Sequence, residues 1–317
     1  MKSLALCILV LAGAAPVLRC AERSVERSFP AAPGCHMNLD TYRGRVDVVE
    51  GPDERISVEV RMTVPTDDAA AADAAFRTVQ LEMKPEGGGA VVQARNPRQT
   101  RLHFDWQEDR QVDLNYRISV PRSCDLHLRI GRGVLVVGDL TGRMWAECGT
   151  GPIYFKRISG SVHAATGDGG IVVSECSGDA ELDARSGSIL VGKVGGAARL
   201  HSVNGDIELQ RASGAVAIRT DLGDVALGLQ AVVPGGVDVA TDGGGIRLQI
   251  ASDAACLVRA SSILGGVHFT VPLTVLSGGS GRRSLAASLG GGGPSVVLKA
   301  SGGRITIDPL HGELPAL

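Results

Sequence analysis

The chain has 317 residues, a formal net charge of −2, 43 glycines and only 3% aromatic residues. It has no block of basic residues, which excludes a nucleic-acid site built on phosphate contacts and disfavours binding to anionic lipid. Beyond the N-terminal segment, no apolar run is long enough for a membrane-spanning helix. Large enzyme cores normally contain more rings, whereas thin repeat structures are filled with aliphatic side chains.

The N-terminus has the features of a signal peptide. Lys2 is followed by an apolar run that extends to Leu18, long enough for the core of an export signal and short for a membrane span. Residues 1–20 are therefore predicted to be removed, and the mature protein to be exported to the periplasm, the cell surface or the medium. Cys20 could instead be a lipid-anchored N-terminus, although Arg19 directly before it is unfavourable for that processing.

Residues 21–132 are predicted to form a β-rich cap and the first, irregular coils of the fold. Alternating apolar residues predict strands, for example in RISVEVRMTV (55–64), RLHFDW (101–106) and QVDLNYRISV (111–120). The alanine-rich stretch 67–77 is the one convincing helix, with Thr66 as its candidate N-cap. A cap is expected because an open end would expose unpaired strand edges.

From residue 133 to 231, glycine recurs every nine residues. The positions are Gly133, Gly142, Gly151, Gly160, Gly169, Gly178, Gly187, Gly196, Gly205, Gly214 and Gly223. The residues two and four places after each glycine are nearly always apolar, which is the period of a strand with one buried face. Glycine is expected at a corner where the backbone needs a positive φ. Each nine-residue unit therefore predicts one short strand and one corner.

Successive units differ, because the seventh place after every second glycine is apolar. These residues are Leu140, Ile158, Cys176, Val194 and Ala212. The true repeat is therefore 18 residues long, with two strands and two unlike corners. We predict an all-β fold, a β-solenoid (β-helix) whose two-strand rungs stack at about 4.8 Å. Residues 232–317 are predicted to add less regular coils to the same continuous solenoid, with 278–294 as a glycine-rich loop.

Four segments occur in a recognisable order: VERSFPAAPGCHMNLDTYRGRVDVVEG, YRISVPRSCDLHLRIGRGVLVVGDLTG, the Gly-Asp-Ile/Val rungs and the closing LGGGGPSVVLKASGGRITI. Their order resembles the bacterial putative-adhesin β-solenoid family, which includes LiaG-like envelope proteins. The resemblance extends over nearly all of the mature chain. It implies a β-helical fold at the cell envelope, and it implies no catalytic residues.

One outer face is predicted to be charged, because residues at the same place in successive rungs stack as ladders. Its candidate binding residues are Trp145, His163, Asp179, Glu181, Asp183, Arg199 and His201. The acidic residues could belong to a polysaccharide-active enzyme, but the pattern is typical of a solvated face with paired charges. No catalytic residue, metal ligand or cofactor is assigned. Calcium-bound β-rolls need Asp at a fixed place in every turn, and Gly-Asp here occurs in different phases.

The other outer face is predicted to have an apolar ladder, formed by Val136, Tyr154, Val172 and Leu190. Surface patches of this kind are normally covered by something. The N-terminal segment, the helix at 67–77 or a C-terminal strand could cover the ladder. Alternatively, the ladder binds a partner protein or a second copy of the chain. The partner of the protein as a whole would be an envelope protein or a glycan.

Five cysteines remain after residue 20. Cys35 and Cys124 could form a disulfide in an oxidising compartment. Cys148 and Cys176 fall at opposite corners of the repeat, too far apart for a bridge, and small buried thiols are the simplest interpretation of the rest.

These features together predict a non-catalytic, exported binding or scaffold protein of the cell envelope, of putative-adhesin type. Two alternatives remain open. One is a polysaccharide-active enzyme that uses the acidic face, and the other is an envelope-stress accessory lipoprotein anchored through Cys20.

Overall fold

The computed structural model describes residues 20–96, 112–278 and 280–310. The predicted signal segment, apart from Cys20, and the strand expected at 101–106 lie outside the described residues. Within the described ranges, no helix is long and apolar enough to cross a membrane.

The N-terminal part of the described chain contains seven strands and one helix. They are β1 (Ala21–Pro30), β2 (His36–Thr41), β3 (Gly44–Glu50), β4 (Arg55–Val64), α1 (Ala69–Phe76), β5 (Gln80–Glu86), β6 (Gly89–Arg95) and β7 (Asp113–Val120). Strands β2 and β6 pair in parallel, as do β3 and β7, so these four strands form two rungs. The remaining strands at this end pair antiparallel: β1 with β4, β4 with β7, and β5 with β6.

The helix lies within the predicted stretch, but its N-cap is Asp68 and not Thr66. The Asp68 carboxylate accepts a hydrogen bond from the amide of Ala70 at 2.9 Å. The Thr66 hydroxyl accepts one from the amide of Asp68 at 3.2 Å, so it supports the capping residue from two positions earlier. Thr66 and Asp68 are both favourable N-cap residue types and lie two positions apart, so the exact start was ambiguous in the sequence.

The central part consists of stacked rungs of two strands each. Its strands are β8 (Asp125–Val137), β9 (Met144–Thr150), β10 (Ile153–Ile158), β11 (Val162–Asp168), β12 (Ile171–Cys176), β13 (Ala180–Ser186), β14 (Ile189–Val194), β15 (Ala198–Asn204), β16 (Ile207–Ala212), β17 (Val216–Leu222) and β18 (Val225–Leu229). Every rung is displaced from the next by 18 residues, as in the parallel partners Ile153, Ile171 and Ile189. The predicted β-solenoid with 18-residue, two-strand rungs is confirmed.

The two strands of each rung belong to two different sheets. Sheet A contains β10, β12, β14, β16 and β18, and sheet B contains β9, β11, β13, β15 and β17. Their inner sides are fully buried and aliphatic, for example Ile171 in sheet A and Leu182 in sheet B. At one of the two corners, the inward-facing residue of several rungs is a buried serine or threonine instead of an aliphatic residue. Ser202, for instance, donates to the carbonyl oxygen of Gly187 at 3.1 Å.

Two different physical requirements place glycine at every ninth residue, whereas the sequence suggested only a positive φ. Gly133, Gly151, Gly169 and Gly187 do have the expected positive φ. The other glycines of the series do not, so the prediction of a positive φ at every corner is wrong for them. At Gly160 the reason is close approach, because a Cβ there would lie 2.2 Å from the carbonyl oxygen of Gly142 in the preceding rung.

The C-terminal coils do not stack in chain order. Their strands are β19 (Val237–Thr241), β20 (Ile246–Ile250), β21 (Cys256–Ser262), β22 (Val267–Phe269), β23 (Thr274–Gly278), β24 (Ser284–Leu289), β25 (Ser295–Ala300) and β26 (Ile305–Pro309). The rung of β25 and β26 lies between the rung of β19 and β20 and the rung of β21 and β22. Strands β25 and β26 come later in the chain than β21 and β22, but they are stacked closer to the central rungs.

The predicted glycine-rich loop at 278–294 contains strand β24, so the loop interpretation is wrong for this part. Strand β24 pairs antiparallel with β21 and with β23, so it lies between them, and β23 is the last strand of sheet B at the C-terminal end. Leu285, Ala287 and Leu289 alternate with smaller exposed or half-buried residues and are themselves buried. This period of two was present in the sequence but was hidden between two glycine clusters.

Candidate functional site

The outer side of sheet B brings together most of the predicted charged residues. In its first ladder, Trp145, His163, Glu181 and Arg199 are direct neighbours on successive strands. In the second ladder, two places further along each strand, Asp183 pairs with His201. We call this surface the charged face. It results directly from the 18-residue register, because equal places in successive rungs must stack.

Two carboxylates of this face are paired with histidines on the neighbouring strands. Nδ1 of His201 lies 2.8 Å from a carboxylate oxygen of Asp183, and Nδ1 of His163 lies 3.4 Å from one of Glu181. All four side chains are largely open to solvent, and so is the pair of Arg129 and Glu147 on the neighbouring rungs. Exposed ion pairs of this type contribute at most about 1 kcal/mol each. The arrangement is that of a solvated surface.

Trp145, the one aromatic candidate for a sugar subsite, has both faces of its ring next to imidazoles. Its ring centroid lies 3.8 Å from that of His127 and 6.0 Å from that of His163. The planes of the Trp145 and His163 rings are within 6° of parallel. A sugar binds an aromatic residue by stacking on the face of the ring. The two imidazoles therefore restrict the access of a sugar to the faces of the indole.

Asp179 does not join the acidic group on the charged face. Its carboxylate accepts a hydrogen bond from the amide of Ala197 in the next rung at 2.7 Å. Asp125, Asp206 and Asp224 accept the equivalent amide, 18 or 21 residues further on, at 2.7–2.8 Å. These corner aspartates therefore link successive rungs. For Asp179, Asp206 and Asp224 the signal for this role was the Gly-Asp pair in the sequence, whereas Asp125 follows Cys124.

The pKa of Asp125 shows that the hydrogen bonds at such a corner stabilise the ionised carboxylate. Burial by itself would raise this pKa, but hydrogen bonds from the guanidinium and the amide of Arg143 bring it below the ordinary value of an aspartate. The carboxylate is thus kept ionised by its structural partners. Among the residues that the structure describes, no group of three or more His, Cys, Asp or Glu is arranged to hold a metal ion.

The pairing on the charged face leads to a prediction for Asp183 and His201. In a double-mutant cycle with Asp183→Asn and His201→Ala, we expect a coupling free energy below about 1 kcal/mol, because both groups are exposed. The measurement is chemical denaturation of the four proteins at neutral pH. A coupling above about 2 kcal/mol would show an organised, desolvated site on this face.

The outer side of sheet A has the predicted apolar ladder. Val136, Tyr154, Val172 and Leu190 are direct neighbours on four successive strands. Tyr154 is 40% exposed, and the other three are partly exposed. Helix α1 contacts β1 and β4 at the N-terminal end, so among the described residues it does not cover the ladder. The four side chains form a flat, uncharged strip, which we call the apolar ladder.

The apolar ladder ends at a shallow depression of about 490 Å³. In the same column, Leu190 is followed by Glu208, Ala226 and Arg247. The short side chain of Ala226 between two long charged ones creates the depression, and Arg304 lies on its rim. The face therefore changes from apolar to charged within two rungs. The sequence indicated the change at Glu208 but not the depression.

Comparisons with known proteins agree with this architecture. Residues 153–308 match the family described as Toastrack DUF4097. No curated protein matches the chain. Among solved structures, the chain is similar to a putative adhesin of Bacteroides fragilis, with 12% identity over 91% of this chain and 97% of that one and a TM-score of 0.41.

Two further solved structures are similar at the same level. A putative lipid binding protein of Parabacteroides distasonis is 11% identical over 90% of this chain and 96% of its own, with a TM-score of 0.39. A putative cell adhesion protein of Clostridium sporogenes is 10% identical over 91% and 100%, with a TM-score of 0.22. At such values, these structures carry no argument about function. The match of residues 153–308 to the Toastrack DUF4097 family agrees with the predicted putative-adhesin family, and it does not extend to the narrower LiaG-like relationship.

Proposed function

We propose that this chain is a non-catalytic, exported binding or scaffold protein of the cell envelope, and that it contacts a partner protein through the apolar ladder. The observation that supports the proposal is the exposure of an uncharged strip in the middle of a sheet, with Tyr154 40% exposed at its centre. Exposed apolar patches on exported proteins usually mark interaction sites.

The chemistry of the ladder favours a protein partner over a glycan. Three of its four side chains are aliphatic, and an apolar centre with one aromatic anchor is typical of the core of a protein interface. The depression next to Leu190 adds Glu208 and Arg247, which fit the polar rim that surrounds such a core. A glycan would instead need open aromatic faces, and the imidazoles of His127 and His163 flank the ring of Trp145.

The geometry of the carboxylates supports a role without catalysis. Glu181 and Asp183 lie two places apart on one strand, so both point outward beside each other, and both are exposed. Glycosidases need two carboxyl groups that flank the scissile bond from opposite sides. Each of these two carboxylates also has a histidine partner on the neighbouring strand.

The proposal predicts that Leu190→Asp and Tyr154→Asp abolish partner capture while the protein stays folded. Both residues point outward, so a new charge there is hydrated in the free protein but would be buried without a partner in the complex. The measurement is a pull-down from envelope extracts with each purified variant as bait, followed by quantification of the proteins retained by the wild type.

The matched control is Ala217→Asp, which introduces the same charge at an exposed outward position of sheet B, beside Arg199. It should retain every partner of the wild type. Circular dichroism and melting temperature establish that each bait is folded. Undiminished capture by both ladder variants, or unfolding of both, would contradict the proposed site.

A further inference from the structure

Cys35 and Cys124 occupy the same place in two adjacent rungs. Cys35 directly precedes β2, Cys124 directly precedes β8, and these strands are parallel neighbours with His36 paired to Asp125. The amide of Asp125 donates to the carbonyl oxygen of Cys35 at 3.0 Å. Adjacent strands lie about 4.8 Å apart, within the Cα separations of about 4.4–6.8 Å that disulfides span. The two backbones therefore already have the separation that a disulfide requires.

The two side chains also point the same way. Each cysteine ends a four-residue turn, since its amide donates at 3.0 Å to the carbonyl oxygen three residues earlier, Ala32 for Cys35 and Pro121 for Cys124. Both side chains are buried, with 2% and 0% of their surface exposed. Burial raises the pKa of the Cys124 thiol, and its hydrogen-bonding contact with Cys35 raises that pKa further. The thiols are thus in contact inside the solenoid.

The other buried cysteines of the described chain have no such neighbour. Cys148 stands between Ile130 and Thr166 on the adjacent strands, and Cys176 stands between Ile158 and Val194. Cys256 is paired with Leu289 in the antiparallel ladder. One pair out of the buried cysteines is therefore placed for a bridge, and the remaining three are ordinary core thiols.

We propose that Cys35 and Cys124 form a disulfide bond that fastens the N-terminal cap to the first regular rung. The oxidant is a low-molecular-weight disulfide such as oxidised glutathione. One protein thiolate attacks it and releases one glutathione, and the second protein thiol then displaces the other glutathione from the mixed disulfide. Two protein thiols are oxidised, and one glutathione disulfide is reduced to two thiols. Compartments outside the cytosol are oxidising enough for such a bond to form and persist.

The bond would act at the place where a solenoid is weakest. Terminal repeats have a stacking neighbour on one side only and open first. The loop between the two cysteines spans about 90 residues and contains most of the cap, so closing it removes much of the freedom of the opened state. Because both thiols are buried in the folded chain, the bond should form while the cap is still open during folding.

The test is to unfold and refold the purified full chain in a mixture of oxidised and reduced glutathione, then to alkylate it in denaturant. Peptide mass spectrometry should find Cys35 and Cys124 joined in one cross-linked peptide that is lighter by two hydrogen atoms than the sum of its parts. Cys148, Cys176 and Cys256 should be alkylated without reduction. Recovery of full alkylation at both Cys35 and Cys124 from refolded, unreduced protein would overturn the proposal.

A second measurement addresses the role in the cap. Reduction of the bond should accelerate amide hydrogen exchange in β2 and β6 on the order of tenfold, and leave β13 and β14 unchanged. Cys124→Ala should show the fast exchange with and without reductant, whereas the control Cys148→Ala should respond to reductant like the wild type. Equal exchange in β2 before and after reduction would show that the bond does not fasten the cap.

Discussion

Gly187→Val is expected to lower the free energy of unfolding by about 3 kcal/mol or more. Gly187 has a φ of +139°, a region that a β-branched residue strongly resists. A Cβ at this position would also lie 2.3 Å from the carbonyl oxygen of Gly169 in the preceding rung. The variant therefore has to change its own backbone and separate two rungs at once. Thermal and chemical denaturation measure the loss.

The matched control is Arg185→Val, which places the same side chain two residues earlier at an exposed position of the same corner. Its effect should stay within about 0.5 kcal/mol, as for most surface changes. Equal melting temperatures for the two variants would show that the corner glycines are not required by geometry. That result would remove the physical basis for the nine-residue period.

Phe155→Ala is expected to cost about 3–5 kcal/mol. Phe155 is 1% exposed and lies between the smaller side chains of Val137 and Val173 on the neighbouring strands. Its removal leaves a cavity that the rungs cannot fill, because their spacing is set by the backbone hydrogen bonds of both sheets. Chemical denaturation gives the change in unfolding free energy.

Tyr154→Ala provides the control from the adjacent residue of the same strand. Tyr154 is similar in size and 40% exposed, so its truncation should cost well under half as much as that of Phe155. Similar losses at the two positions would mean that the outer face of sheet A is covered as tightly as the inner one. In that case the apolar ladder would be internal packing, and the proposed binding surface would be withdrawn.

Phe155 and Tyr154 differ because successive residues of a strand point alternately inward and outward. This alternation also made the fold predictable from the sequence. Glycine at every ninth residue and apolar residues two and four places later are both local signals, and each rung repeats them. Once the repeat length of 18 is known, parallel in-register stacking determines which residues are neighbours. The ladder of Val136, Tyr154, Val172 and Leu190 could therefore be named from the sequence, as could the adjacency of Asp183 and His201.

The details of those ladders depended on side-chain conformations that periodicity does not specify. Asp179 turns towards the amide of Ala197 and leaves the charged face, because an unpaired amide at the corner attracts a carboxylate. The imidazoles of His127 and His163 flank the ring of Trp145 and restrict access to it. Whether these residues bind anything stays a prediction.

The repeat pattern of the chain determined the β-solenoid, its rung length and its inward and outward columns, because these follow from local periods of two, nine and eighteen residues. Only the tertiary structure decided how the ends are built. It inserts β25 and β26 before β21 and β22 and brings Cys35 next to Cys124 across about 90 residues. Such pairings join segments that are distant in the chain, and they depend on which open strand edge each segment reaches.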